Sequence, residues 1–160
     1  MIQGRWFPVG GDIAEALCVR ERVFSRSRDE LDDRAQQVVV YDANDAPVGA
    51  ARLWWADGAF RLGDLGVLSD KRGQGFGDLL VRLLLFKSLT HGASLISLSA
   101  PAQVAPFFAK YGFAAQDDAP DASGETFMSI RAQDVQLSHC GGNCAECGHP
   151  SEECVPKALR

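Results

Sequence analysis

The stretch Leu62–Leu85, L-G-D-L-G-V-L-S-D-K-R-G-Q-G-F-G-D-L-L-V-R-L-L-L, constrains this chain more than any other. It reads as a short apolar strand, a turn with glycine at alternate positions 73, 75 and 77, and a strongly apolar helix. Glycine there removes the Cβ atoms that would shield the backbone N–H groups. A helix beginning at about Gly77 points its unpaired N–H groups, and the positive end of its dipole, back at the turn. Arg72 adds a fixed positive charge at the entrance. Arg72, Gly73, Gln74, Gly75, Phe76 and Gly77 therefore make a cradle for a diphosphate. A glycine-rich turn with no ligand is the alternative; the strand before it and the helix after it favour the cradle.

Other glycine loops do not fit. A Walker A loop ends in Gly-Lys-Ser/Thr, but Gly77 is followed by Asp78 and Leu79. A dinucleotide fingerprint needs glycine at the sixth position from Gly73, which is Asp78. A kinase loop leads into a strand, whereas this one leads into leucine-rich helix. What fits is R-x-x-G-x-G, here Arg72-Gly73-Gln74-Gly75-Phe76-Gly77. It resembles the pyrophosphate-binding signature of the GNAT acetyltransferases, where it grips coenzyme A.

The remaining elements follow from periodicity and turn chemistry. Gln3–Val9 reads as an edge strand. Asp12 suits the N-cap of a helix over Asp12–Phe24. Ile13, Leu17 and Phe24 share a face of it, with Cys18 near that face as a small core residue. Ser25–Gln36 is a polar loop or short helix. Gln37–Asp42, Val48–Ala56 and Ala59–Leu68 form a meander through Ala43–Pro47 and the Asp57-Gly58 turn. Gly63 and Gly66 predict a bulge, or a close approach by ligand backbone. Leu79, Leu80, Leu83, Leu84 and Phe86 cover most of the helix Gly77–Thr90 and predict its burial; His91-Gly92 ends it. Leu95–Ala100 alternates as a strand, Gln103–Tyr111 reads as a short helix, and Thr126–Arg131 as the final strand.

This order predicts a mixed α/β sheet with helices on both faces. It matches the GNAT fold over roughly residues 1–135, a mostly antiparallel sheet with a splayed central strand pair. The segment F-F-A-K-Y-G-F, Phe107–Phe113, is similar to the family's F-Y-x-x-x-G-F ending. The resemblance implies a domain over 1–135 that transfers an acetyl group from acetyl-CoA to a primary amine, small or peptidyl. Transfer would be direct, within a ternary complex. It further implies that the pantetheine pairs with Leu65-Gly66-Val67, that Ser97-Leu98-Ser99 is the splayed partner, and that Ser99 and Phe108 contact the cofactor. A backbone N–H near Leu65–Val67 would receive the oxyanion.

The proton carriers are less well marked. The resemblance implies a general base at Asp64, which as plain strand would be a solvent-facing carboxylate. Glu30 and Asp32 are alternatives, as bases, as ammonium ligands or as solvated side chains. The family's acid is a tyrosine, and its position here holds Phe108, which cannot donate a proton. Tyr111, three residues on, either substitutes or packs, and packing is the favoured expectation. Of Trp54 and Trp55, on opposite strand faces, one is expected in the core and the other at a substrate pocket or the surface. His91 reads as a helix-end residue. Phe108 together with the unusual tail keeps a second hypothesis open: a weakly active or inactive coenzyme A-binding regulatory module.

Net charge −5 argues against a nucleic-acid partner and suits a cationic amine. The first residues show no leader pattern, and Arg82 and Lys87 interrupt the longest apolar runs. The expectation is a cytoplasmic protein without a membrane partner, with a homodimer among the open assemblies. Residues 136–160 form a cysteine-rich tail. Cys140, Cys144, Cys147 and Cys154 stand in C-x3-C-x2-C-x6-C spacing with His139 and His149 interleaved. Four thiolates at that density can hold zinc or an iron–sulfur cluster. A disulfide-linked or disordered tail is the alternative.

Overall fold

Central strands with apolar residues on both faces need cover on both sides, and the chain supplies it from two helices. A computed structural model describes residues 3–117 and 119–137. The strands are β1 (Gln3–Phe7), β2 (Gln36–Tyr41), β3 (Pro47–Ala56), β4 (Ala59–Val67), β5 (Leu95–Pro101), β6 (Ala114–Ala115) and β7 (Glu125–Arg131). They form one sheet in the order β1-β2-β3-β4-β5-β7-β6. Every pairing is antiparallel except β4 with β5.

The helices are α1 (Ala14–Phe24), α2 (Phe76–Thr90) and the short α3 (Ala105–Ala109). Period-2 alternation assigns the layers. Val39, Tyr41 and Ala50 face α1 and pack on Ile13, Ala16 and Val19. Val38, Val40, Leu62, Ile96 and Leu98 face α2 and pack on Leu80, Val81, Leu84 and Leu85. These four α2 side chains are fully buried, and each such burial stabilises by about 1.5–3 kcal/mol. The N-cap of α1 is Ile13, one residue after the expected Asp12, whose Oδ1 accepts from the Ala14 N–H at 3.0 Å. The chain then enters a 3₁₀ turn at Glu30–Asp33 through a capping box built on Asp29.

Several expectations need correction. Cys18 is exposed, not core. It lies two residues from both Ala16 and Arg20, roughly 200° around the helix from each, and those two residues face the sheet. Phe86 is half exposed on the outward stripe of α2. Trp55 is exposed and Trp54 only partly buried, so neither tryptophan belongs to the core. His91 does end α2.

Candidate active site

The sheet opens at its middle. β4 and β5 pair only at Phe60↔Ile96, Arg61↔Ser97 and Leu62↔Leu98. The divergence begins after Leu98, so Ser97 and Leu98 are still paired and the splayed segment is Ser99–Pro101. On the other side, β4 is pushed out by a β-bulge. Arg52 pairs with Gly63 and Ala50 with Gly66, leaving Asp64 and Leu65 opposite Ala51 alone. The bulge falls between the two glycines that announced it. Asp64 takes a left-handed backbone, φ 47°, which aspartate tolerates better than most residues. A cleft of about 740 Å³ fills the gap.

One end of the cleft is the glycine turn. Gly73 and Gly75 have φ of 77° and 89°, and a Cβ added to either would meet no atom of the described residues within 4 Å. Their missing side chains leave open space on the cleft side. Gly75 is the N-cap of α2, no side chain caps that terminus, and the first helical bond runs from the Leu79 N–H to the Gly75 carbonyl at 3.0 Å. The N–H groups of the first turn therefore stand at the lining of the cleft, as an anion site requires. Arg72 Nε donates to the Val67 carbonyl at 3.1 Å, which ties the cradle to the end of β4.

Leu65, Gly66, Val67, Arg72, Gly73, Gly75, Phe76, Gly77, Ser99 and Phe108 all line this cleft, as does Asp64. Gln74 and Tyr111 do not line it. Gly66 is required by packing: a Cβ there would come within 2.8 Å of Phe24 and Val23 at the end of α1.

Asp64 belongs to a buried ionic network. Its Oδ1 pairs with Arg26 Nη1 at 2.7 Å and its Oδ2 with Arg52 Nη2 at 2.8 Å. Arg52 also bonds Asp29, and Arg20 holds Asp32 through two bonds of 2.8 and 2.9 Å. Gln37 joins Arg20 and Asp32. Burial pushes the Asp32 carboxyl up. The Arg20 hydrogen bonds, the Asp29 N–H and the two guanidinium charges outweigh it, and hold Asp32 well below the usual carboxylate range. Arg52 itself is held above its ordinary value: burial opposes its charge, but Asp29, Asp64 and Asp32 over-compensate. Asp32 is thus a structural ion, and Glu30 is exposed outside the cleft.

Tyr111 is fully buried. Its hydroxyl donates to Asp78 in the first turn of α2. Burial, then that hydrogen bond, raises its pKa far above the usual tyrosine value. Asp78 pairs in turn with Arg82 at 2.8 Å, and Arg82 Nη1 donates to the Leu137 carbonyl at 2.7 Å. The ring of Phe108 lies between Phe107 and Phe113 in edge-to-face contacts.

The family model described as an acetyltransferase (GNAT) domain matches residues 18–132. The chain belongs to the GNAT acetyltransferase family. It is 34% identical over 109 residues to the uncharacterized N-acetyltransferase YjcF of Bacillus subtilis, covering 63% of this chain and 77% of that protein. Its fold is similar to that of an acyl-CoA N-acyltransferase from Pseudomonas aeruginosa, with TM-score 0.72, 19% identity, and 81% of this chain and 99% of that one covered. It is likewise similar to Escherichia coli ElaA, with TM-score 0.69, 20% identity, and coverage of 82% and 100%. Family membership makes the protein an acyltransferase, with acetyl-CoA as the implied cosubstrate and an amine-bearing acceptor. The cradle and the cleft have the open backbone and the room that this cosubstrate needs.

Some site residues escaped sequence reasoning. Glu125 lines the cleft from β7, and Arg26, Arg52 and Arg61 gather beside Asp64. No local pattern marks them, because three separate strands and a loop bring them together. The cysteines Cys140, Cys144, Cys147 and Cys154 lie outside the described residues. Among the described residues no cluster of acidic, histidine or cysteine side chains is arranged to hold a metal, and no helix is long and apolar enough to cross a membrane.

Proposed function

We propose that this GNAT enzyme transfers the acetyl group of acetyl-CoA to a primary amine by direct attack in a ternary complex. The observation that carries the reading is the gap between β4 and β5, opening onto an uncapped helix N-terminus lined by Gly73 and Gly75. The diphosphate sits on that terminus, and the pantetheine pairs with Leu65–Val67 where β4 has lost its partner. The thioester carbonyl then faces the bulge, whose backbone N–H groups receive the oxyanion.

Proton removal falls to the carboxylates beside the bulge. Both oxygens of Asp64 lie in ion-pair contact with guanidinium groups, Oδ2 without a hydrogen bond, whereas Glu125 has no ion-pair partner among the described residues. Glu125 is therefore the better acceptor and Asp64 the orienting neighbour. Tyr111 acts as a packing and positioning residue, and the thiolate leaves with water as its proton source. A cytoplasmic setting goes with this reading. The tail cysteines are proposed as a separate zinc or iron–sulfur site, supported by their spacing alone.

Titration with acetyl-CoA and thiol release across a panel of amines test the assignment. Binding at submillimolar concentration with turnover supports it. Tight binding with no turnover on any amine would instead make the protein a coenzyme A-responsive module, and no binding would sink both readings.

A further inference from the structure

α1 covers β2, β3 and the end of β4, and leaves part of the same sheet face bare. On that bare part lies a recess of about 180 Å³ that shares Asp64, Ser99 and Glu125 with the cofactor cleft. Such a volume is below the roughly 300–1,000 Å³ typical of drug-sized pockets, so it takes a small molecule or the tip of a larger one. Its charged groups fall into two sets. Asp64, Glu125 and Arg26, which pairs with Asp64, stand at the junction with the cleft. Arg52 and Arg61 line the recess only, as diagonal neighbours on one face, since Arg61 pairs with Trp54 and Arg52 with Gly63.

The arginines are not fully matched. Arg52 lies over the Trp54 ring and Arg61 over the Phe127 ring, 5.7 and 5.9 Å from the centroids. Among the described residues the buried Nε atoms of both have no hydrogen-bond acceptor, and buried Asp64 Oδ2 has no donor. Arg52 has Asp29, Asp32 and Asp64 as counter-ions. The counter-ion of Arg61 is Asp57 at the hairpin tip, 2.9 Å away but 82% exposed, and so weakly paired. A buried guanidinium N–H without an acceptor is costly, and an anionic oxygen is its best partner. In a chain of net charge −5 this concentration of arginine is local and directed.

We infer that the acceptor is a small amine that also carries an anionic oxygen group, a carboxylate or phosphonate, which Arg61 receives with Arg52 while the amine lies between Asp64 and Glu125. This rests on the acetyltransferase reading and adds the substrate class. The amine end is placed next to the thioester and the anionic end away from it, against the aromatic walls.

The test uses the full chain at saturating acetyl-CoA. Thiol release is measured on α- and ω-amino acids, on the matching carboxamides and decarboxylated amines, and on aminoalkylphosphonates. The anionic acceptors should exceed their neutral partners in kcat/KM by at least about tenfold, and the carboxylate and phosphonate series identify which anion is native. Arg61→Gln should raise KM for the preferred acid by about tenfold and collapse the acid-to-carboxamide ratio toward one, with acetyl-CoA affinity unchanged; Arg61→Lys should recover part of the ratio. Neutral amines used as well as or better than anionic ones would overturn the inference while leaving the acetyltransferase reading intact, as would an unchanged ratio in a folded Arg61→Gln. Absence of thiol release on every amine would overturn the acetyltransferase reading and this inference with it.

Discussion

Gly75 and Tyr111 carry residue-scale consequences of different kinds. At Gly75 the backbone, with φ 89°, disfavours a side chain for conformational reasons, while the open space beside it is the proposed place of the diphosphate. Gly75→Val should cost about 1–2 kcal/mol in stability from the left-handed backbone. It should lower acetyl-CoA affinity by about tenfold or more, one decade per 1.4 kcal/mol. Calorimetric titration and thermal melting of the variant separate the two losses, and unchanged affinity in a folded variant would count against the cradle. Tyr111 is placed by its hydroxyl on Asp78 rather than by the cleft. Tyr111→Phe should destabilise the protein by about 1 kcal/mol and leave kcat within about threefold, with the pH dependence of kcat unaltered. A collapse of kcat in the folded variant would restore the tyrosine as general acid.

The bulge in β4 is an element-scale device. Leu62 faces α2 and Gly63 faces α1, so unbroken alternation would drive Asp64 into the apolar layer on α2. The extra residue turns it onto the face of Arg52 instead, and the network through Arg20, Asp32 and Asp29 fastens the bulge to the loop after α1. Acid should loosen this fastening. Asp32 and Asp29 titrate below their ordinary range in the folded chain, so the stability they contribute is present above the unfolded pKa of about 4 and is lost as pH falls through the folded values. Chemical denaturation should show stability level above about pH 5 and declining below about pH 4. Asp32→Asn should cost about 3 kcal/mol at neutral pH, because it leaves Arg20 buried beside a neutral partner, and should flatten the acid limb. The elements themselves were legible from sequence, because strands and turns are written in a few consecutive residues; so was the glycine turn before α2, whose parts are contiguous, whereas the cap of α1 falls one residue past Asp12, at Ile13. Legibility reached the bulge, through Gly63 and Gly66, and stopped at the ionic network, since Arg20, Asp32, Arg52 and Asp64 meet only through tertiary packing. It also stopped at Phe86 and Cys18, where composition suggested burial but angular position on the helix decided exposure.

At the scale of the whole molecule, the last described residues belong to the body. Val135 and Leu137 pack on the main core, and the Leu137 carbonyl accepts from buried Arg82. A chain ending at Ser138 should therefore bind acetyl-CoA as the full chain does, whereas one ending at Asp134 should melt markedly lower. Metal analysis of the full chain under reducing conditions should find about one zinc or one cluster for the four tail cysteines; a metal-free protein would remove that proposal. The short parallel seam between β4 and β5 has a further consequence. Only three register pairs join a four-strand plate, β1–β4, to a three-strand plate, β5-β7-β6, with α2 as the covalent tether between them. A ligand that hydrogen-bonds to the β4 side while its diphosphate is held by the tether becomes part of the seam. Hydrogen–deuterium exchange should then slow on both sides of the gap, at Leu65–Val67 and at Ser99–Ala100, when acetyl-CoA binds, with little change in β1–β3. In the proposed binding mode the cosubstrate is a removable strand that makes one sheet of two.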